Sequence, residues 1–120
     1  MKRFALPKSS LLRKSGEFNL VYRQGRRLRG PGFLLVCCGS GLPGSRLGIS
    51  VPAKTGGAVR RNRIKRLVRE TFRLHRDIFP SSSDIVFAVR PEFTLDGLNE
   101  VRAAVAELTG LPERHDAAAA

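Results

Sequence analysis

The amino-acid sequence predicts one α+β domain, a sandwich of one β-sheet with helices, in the order helix, two or more strands, helix, strand, helix. The length of 120 residues, 42% of them apolar, suits a single compact domain over residues 1–120 and excludes a second sizeable core. Apolar residues recur at helical spacing in three segments, and strand-like apolar runs lie between these segments. The chain shows no internal repeat.

The first predicted helix spans about residues 16–23 and follows an irregular basic arm, residues 1–14, in which proline, serines and scattered charges break any apolar period. Ser15 is expected to cap this helix, with Glu17 in its first turn, where the helix dipole favours an acid. Its apolar face is formed by residues at i, i+3 and i+4 spacing: Phe18, Val21 and Tyr22.

Two strands are expected next. Residues 33–38 form a continuous apolar run typical of a buried strand, and residues 46–51 alternate, with Leu47, Ile49 and Val51 on one face. Residues 39–45 read as a turn. A hairpin is the simplest way to join the two strands.

The second half of the chain predicts a long helix over about residues 58–79, a third strand over residues 84–89 and a last helix over about residues 96–109. Gly110 is expected to end the last helix. Residues 110–120 are expected to form a flexible tail.

The charge balance indicates a polyanionic partner. The chain has 22 Lys and Arg against 10 Asp and Glu, a formal net charge of +12, and 17 of the 22 basic residues are arginines, which favour bidentate contacts with phosphate. Residues 1–90 hold 20 basic and four acidic side chains, whereas residues 91–120 hold two basic and six acidic ones. Such a domain is attracted to nucleic acid.

Several protein classes are disfavoured. The longest apolar run has six residues, well short of the roughly 18 to 20 that span a membrane. No apolar stretch follows the basic N-terminus as in a secretory signal, so a cytoplasmic protein without a membrane partner is expected. Cys37 and Cys38 are adjacent, whereas disulfide frameworks and zinc sites need spaced cysteines, so both are interpreted as buried apolar residues.

The long helix has two contrasting faces at 100° per residue. Ile64, Leu67, Val68 and Phe72 form the apolar face, with Thr71 and His75 near its centre. The opposite face, here called the basic stripe, comprises Asn62, Lys65, Arg66, Arg69, Arg73 and Arg76. Like charges at this spacing destabilise an isolated helix by a few tenths of a kcal/mol per pair, and only Glu70 interrupts them, which favours an anionic partner. A merely solvated charged face stays open as the alternative.

Two further basic groups stand out. Arg60, Arg61 and Arg63 lie at the start of the long helix, where the backbone amide groups and the helix dipole favour anions and disfavour cations. A bound phosphate backbone would supply the negative charge that these arginines lack. Gly56 and Gly57 read as helix-entry glycines, because they lack the lysine spacing of a nucleotide site. A second arginine cluster lies in the Gly-rich and Pro-rich connection after the first helix: Arg23, Arg26, Arg27 and Arg29.

Residues 57–73, G-A-V-R-R-N-R-I-K-R-L-V-R-E-T-F-R, resemble the arginine-rich helix of the bacterial ribonuclease P protein subunit family. The resemblance extends to R-L-G-I-S-V at residues 46–51, to E-F-N-L-V-Y at residues 17–22 and to the strand at residues 85–91, and it covers most of residues 9–108.

The resemblance implies an α-β-β-β-α-β-α two-layer sandwich with a left-handed β-α-β crossover. It also implies a holoenzyme whose catalytic centre lies in a large RNA. In that family the small protein binds this RNA through the arginine-rich helix and holds the 5′ leader of precursor tRNA in a cleft between the sheet and the first helix. The implied activity is assistance to endonucleolytic removal of the leader.

Carried onto this sequence, the resemblance and the basic stripe assign RNA contacts to Lys54, Arg60, Arg61, Asn62, Arg63, Lys65, Arg66, Arg69 and Arg73. The residues that match the leader cleft are Phe18, Tyr22, Leu34, Val36 and Ser50. Spaced aromatic side chains stack on unpaired bases, although packing of the first helix on the core explains Phe18 and Tyr22 equally well. Two positions depart from the family pattern: Ala53 replaces a frequent lysine, and Val36 replaces a tyrosine found in some relatives.

The sequence offers no catalytic or metal-binding residue. His75 falls on the apolar helix face and His115 in the tail, and the four acids before residue 90 show no paired metal-site spacing. We therefore expect RNA-borne catalysis with Mg²⁺ on RNA oxygens, and no obligatory protein partner. Two other classes stay open, a structural ribosomal or assembly protein and a self-sufficient protein nuclease; the second fits the inventory of acids and histidines least well.

Overall fold

The computed structural model describes residues 7–111, and within them it has three helices and one four-stranded sheet. The element bounds are α1 Ser15–Gln24, β1 Arg26–Gly30, β2 Phe33–Gly39, β3 Arg46–Ser50, α2 Ala58–Leu74, β4 Ser83–Val89 and α3 Leu98–Thr109. The predicted single α+β domain and its α-β-β-β-α-β-α order are confirmed. Among the described residues, no helix has the length and apolar character that a membrane span requires.

The strands lie in the order β1-β2-β4-β3. β1 with β2 and β2 with β4 are antiparallel, whereas β3 and β4 are parallel and are connected through α2. The expected hairpin between β2 and β3 is therefore wrong, because β4 lies between them. β4 is buried along almost its whole length, and a strand covered on both faces belongs at the centre of the sheet.

Strand β1 occupies what the sequence analysis read as a connection. It pairs with β2 through a two-residue turn, Pro31 and Gly32, in which Gly32 has φ of +77°. β1 is an edge strand, and charged side chains are typical of strand edges because they oppose further pairing. The second arginine cluster thus lies mainly in a strand.

The two faces of the sheet differ in what covers them. Odd-numbered residues of β2 and β4 pack against α2 and α3 in the main core, where the rings of Phe33 and Phe87 stack with centroids 4.3 Å apart. Even-numbered residues of the same strands face α1, where Val21, Val36 and Val86 form a smaller buried cluster. Such alternation follows from the two-residue period of a strand.

Helix α2 ends at Leu74, five residues before the expected position. His75 leaves the helix with φ −132° and ψ 55°, and a 3₁₀ turn, Arg76–Ile78, follows. This turn brings the ring of Phe79 edge-on to Phe72, with centroids 5.1 Å apart, so burial of Phe79 outweighs continuation of the helix.

The segment before α1 lies along β3. The N–H of Leu12 donates a 2.8 Å hydrogen bond to the carbonyl of Leu47, and the Leu12 side chain is buried. The described part of the predicted arm, residues 7–14, therefore contacts the sheet. Residues 1–6 and 112–120, including His115 and most of the predicted tail, lie outside the described residues.

Candidate nucleic-acid interface

Helix α2 presents the two faces that its sequence predicts. Ile64, Val68 and Phe72 are buried in the main core, while Asn62, Arg66 and Arg69 are exposed on the other side. The stripe borders β3, because Lys65 and Arg69 line a hollow together with the side chains of Leu47 and Ile49. The helix thus holds a row of cations beside one edge of the sheet.

Two predicted RNA-binding residues are held by carbonyl groups of their own domain. The guanidinium of Arg60 donates hydrogen bonds to the carbonyl oxygens of Thr55 at 3.0 Å and Phe93 at 2.6 Å. The guanidinium of Arg61 donates one hydrogen bond, of 3.1 Å, to the carbonyl oxygen of Gly56. Gly56 has φ of +151°, and a Cβ there would lie 2.6 Å from Cδ of Arg60. These arginines therefore fix the entry to α2.

Other cations of α2 have acidic or aromatic neighbours. Arg63 pairs with Asp96 at 2.6 Å, and both side chains are mostly exposed. Arg73 pairs with Glu70 on the same helix. Arg76, which the sequence placed on the same helix, lies in the 3₁₀ turn after α2, and its guanidinium carbon is 4.6 Å from the ring centroid of Phe72. An exposed ion pair such as Arg63 with Asp96 contributes little to stability and exchanges readily for a phosphate contact.

The centre of the stripe is different. Lys65, Arg66 and Arg69 form no ion pair and no side-chain hydrogen bond with any residue between 7 and 111. Lys54 is also exposed, in the 3₁₀ turn Ala53–Thr55 that follows β3. These cations are available to an anionic partner without first breaking a contact.

On the face of the sheet against which α1 packs, a strip of the sheet beside this helix is only partly covered. Its floor is a row of half-buried residues, one on each of three strands: Leu34 on β2, Ala88 on β4 and Ser50 on β3. Helix α1 covers the neighbouring row, where Val36 and Val86 are fully buried, and leaves this row open. We call this strip the groove.

Helix α1 forms one wall of the groove with its two aromatic residues. The ring of Phe18 lies on Gly48, where a Cβ would approach Cζ of Phe18 to 2.7 Å. Tyr22 lies under Arg27, whose guanidinium carbon is 5.8 Å from the ring centroid and whose Nη2 donates a 2.9 Å hydrogen bond to the Tyr22 carbonyl. Both rings are half-buried, so they contribute to packing and still expose surface for stacking.

Four of the five predicted cleft residues therefore border the groove: Phe18, Tyr22, Leu34 and Ser50. Val36 does not, because its side chain is fully buried under α1 beside Val21 and close to Gly25. The prediction placed it correctly on this face of the sheet but overlooked the helix that covers it. Val36 supports the floor rather than presenting a surface.

Arg46 attaches α1 to this face. Its guanidinium donates hydrogen bonds of 2.9 and 2.7 Å to the Asp84 carboxylate and one of 3.3 Å to Glu17. The bonds to Asp84 are the main reason that the pKa of Arg46 is raised. Backbone N–H groups of Lys14 and Arg13, each 3.1 Å from the carboxylate, hold the pKa of Glu17 below its ordinary value. Glu17, rather than Ser15, therefore caps α1, and Ser15 is its first residue.

Chemistry-bearing side chains are scattered. Between residues 7 and 111, no three His, Cys, Asp or Glu side chains lie close enough to hold a metal ion together. His75 is the first residue after α2 and is half-buried. Cys37 and Cys38 are half-buried free thiols on opposite faces of β2, and burial raises the pKa of Cys37 to about 11.

Several residues of this surface carry no signal in the sequence that marks them as functional. Ala88 and Gly48 carry no recognisable chemical signal, and only the strand register places them in or beside the groove. Arg27 and Arg29 were noticed as charges but not as groove residues. Their signal was the alternation of Arg27, Leu28 and Arg29, which is typical of a half-buried strand.

Comparisons with known proteins agree on one family. The family model described as Ribonuclease P matches residues 6–111. A ribonuclease P protein component from Desulfotalea psychrophila is 54% identical over 112 residues, which cover 93% of each chain. The solved RNase P protein from Thermotoga maritima is 35% identical, with a TM-score of 0.73 over 84% of this chain and 96% of that one. For the RNase P protein of Staphylococcus aureus the identity is 28% and the TM-score 0.72, over 86% and 94%. The chain therefore belongs to the ribonuclease P family, as a protein component of that tRNA-processing ribonucleoprotein.

Proposed function

We propose that this chain binds the catalytic RNA of ribonuclease P through α2 and holds the 5′ leader of precursor tRNA in the groove, assisting endonucleolytic removal of the leader to give the mature tRNA 5′ end. The observation that carries the proposal is the presence of two distinct surfaces suited to RNA on one small domain. The first is a set of helix cations that have no ion-pair partner among residues 7–111: Lys65, Arg66 and Arg69. The second is a groove with an aromatic wall across the sheet.

The two surfaces suit different forms of RNA. A row of cations on a helix fits the regularly spaced phosphates of a folded RNA, and release of counterions drives such binding. Half-buried rings such as Phe18 and Tyr22 fit unpaired bases, which stack on aromatic side chains without strong sequence preference. A leader is single-stranded, so the groove matches it better than it matches a duplex.

The protein's contribution is positioning and charge neutralisation. Glu17 and Asp84, two of the few acids in the basic part of the chain, are engaged by Arg46 and serve the fold. We therefore assign bond cleavage to the catalytic RNA and Mg²⁺ to RNA oxygens, which match the preference of this ion for oxygen ligands and retained water. The proposal includes a cytoplasmic location and requires no other protein partner.

Reconstitution tests the proposal. The purified chain, the catalytic RNA of the same organism and a precursor tRNA are combined at low Mg²⁺ concentration, and each component is omitted in turn. Cleavage should require the RNA and be stimulated by the protein. Binding of precursor should exceed that of mature tRNA only when protein and catalytic RNA are both present. Equal affinity for both forms would favour a structural assembly protein, and cleavage by protein and Mg²⁺ alone would favour a protein nuclease.

A further inference from the structure

The groove continues onto strand β1, and no predicted site residue lies on this strand. In the sheet register Arg29 is the partner of Leu34, and Arg27 is the partner of Val36. Directly paired residues of antiparallel strands lie on the same face, so both arginines lie on the groove side. Leu28, between them, packs against the main core on the opposite face, which agrees with this assignment.

The row that forms the groove floor therefore extends across all four strands and ends in a cation. From Ser50 on β3 it passes through Ala88 and Leu34 to Arg29 on β1. Three interstrand spacings of about 4.8 Å make this path about 14 Å long. At about 3.4 Å per stacked nucleotide, that is the length of roughly four nucleotides.

Charge at the β1 end is unbalanced. Arg29 is exposed and forms neither an ion pair nor a side-chain hydrogen bond with any residue of the described chain. Arg27 donates a hydrogen bond to the neutral carbonyl of Tyr22 and forms no ion pair with any residue between 7 and 111. Cations thus lie at both ends of the row, Lys65 and Arg69 beside β3 and these two arginines on β1.

We propose that Arg27 and Arg29 form a phosphate-binding site for the part of the precursor-tRNA leader that extends beyond the aromatic wall. This inference rests on the proposed function and adds the exit of the leader from the groove. Arg27 acts in two ways, because its guanidinium also holds Tyr22 in place. Arg29 contacts only the phosphate, and its contribution to precursor binding depends on leader length.

The alternation of β1 supplies a matched control. Arg26 is one position from Arg27 and pairs with Cys37, so it lies on the opposite face, where it lines a cavity with Leu28 and Thr109. Arg29→Ala and Arg26→Ala remove the same charge from the same edge strand. Only the first removes it from the groove side.

The experiment uses the reconstituted holoenzyme and precursors whose leaders are lengthened one nucleotide at a time. Arg29→Ala should weaken binding of long-leader precursors by up to about fivefold, the loss expected for one solvent-exposed ion pair, and leave the shortest leaders unaffected. The dependence of log affinity on log salt should fall by about 0.7 for the long leaders, the value for one phosphate of a single strand. Arg29→Lys should retain most of the affinity, and Arg26→Ala should bind like the unaltered protein.

Three results would overturn the inference. Equal behaviour of Arg29→Ala and Arg26→Ala at every leader length would show that the groove side is not used. A loss equal for all leaders and for mature tRNA would assign the contact to the tRNA body. Weaker assembly of Arg29→Ala with the catalytic RNA alone would assign it to that RNA. Absence of any leader-length effect in the unaltered protein is a different outcome, which would contradict the proposed function itself.

Discussion

Arg46 and Asp84 face each other across the parallel strands β3 and β4, and the guanidinium donates two hydrogen bonds, of 2.9 and 2.7 Å, to the carboxylate. The Asp84 side chain is 12% exposed and that of Arg46 30%. A third bond reaches Glu17 in the first turn of α1. One arginine therefore joins the wall of the groove to the strands that form its floor.

Replacing Arg46 with methionine should lower the free energy of unfolding by about 1 to 3 kcal/mol, because the poorly solvated Asp84 carboxylate loses its charged donor. Urea unfolding followed by circular dichroism measures the loss. The double variant Arg46→Met with Asp84→Leu should recover much of it, since no buried charge is then left alone. A single variant as stable as the unaltered protein would contradict this role.

The stability of the domain should fall in acid partly through Glu17. Its pKa is lowered in the folded protein, so its contribution is complete above the ordinary glutamate pKa of about 4.3 and is lost as the pH falls through the lower folded-state value. Glu17→Gln should therefore be less stable at neutral pH and lose less stability on acidification. Urea titrations at several pH values measure both, and parallel stability profiles of the two proteins would refute the assignment.

Much of the fold was predictable because its signals are local. The two faces of α2 follow from helical periodicity, and Gly110 ends α3 in the left-handed conformation, with φ of +71°. The order of the strands was not predictable in this way, because it depends on β4 entering between β2 and β3 after more than thirty intervening residues. The end of α2 also depends on a tertiary contact, that between Phe79 and Phe72.

The candidate site was likewise predictable only where its residues carry a local signal. Residue type and spacing identified the cations of α2, but nothing local distinguishes Arg60, bound to two carbonyls, from Arg66, which has no such partner within residues 7–111. Likewise, Val36 and Leu34 have the same alternation in sequence. Only the position of α1 buries the first and leaves the second in the groove.

The cations of α2 should differ in their effect on RNA assembly. Arg66→Ala and Arg69→Ala should each weaken binding to the catalytic RNA and reduce its salt dependence by about 0.7 to 0.9 per lost phosphate contact, a range taken from DNA. Arg60→Ala should act mainly by lowering the unfolding free energy, because its guanidinium holds the helix entry. Arg102→Ala on α3 is the charge-matched control. If Arg66→Ala left the dependence of log affinity on log salt concentration unchanged, Arg66 would be excluded from the interface.

The Cys37 thiol should be poorly reactive. With a pKa of about 11, only about one thiol in a thousand is ionised at pH 8, and the thiolate is the species that reacts. In a Cys38→Ala variant, alkylation by iodoacetamide should be slow in the folded protein, fast in urea and faster as the pH rises toward 11. Equal rates in the folded and unfolded states would show that burial does not protect this residue.

Phe18 decides between the two uses of the aromatic wall, stacking on bases and packing of α1. Phe18→Ala should weaken binding of a precursor with a leader by about 1 to 3 kcal/mol, the value of one stacked base, while assembly with the catalytic RNA and binding of mature tRNA stay unchanged. The control is Val21→Ala in the same helix, whose fully buried side chain should lower the unfolding free energy without selecting between precursor and mature tRNA. Gly48→Ala displaces the Phe18 ring without removing it, because a Cβ at position 48 would lie 2.7 Å from Cζ of Phe18. A Phe18→Ala protein that loses stability as Val21→Ala does, and binds both forms of tRNA equally weakly, would assign the ring to packing of α1 alone.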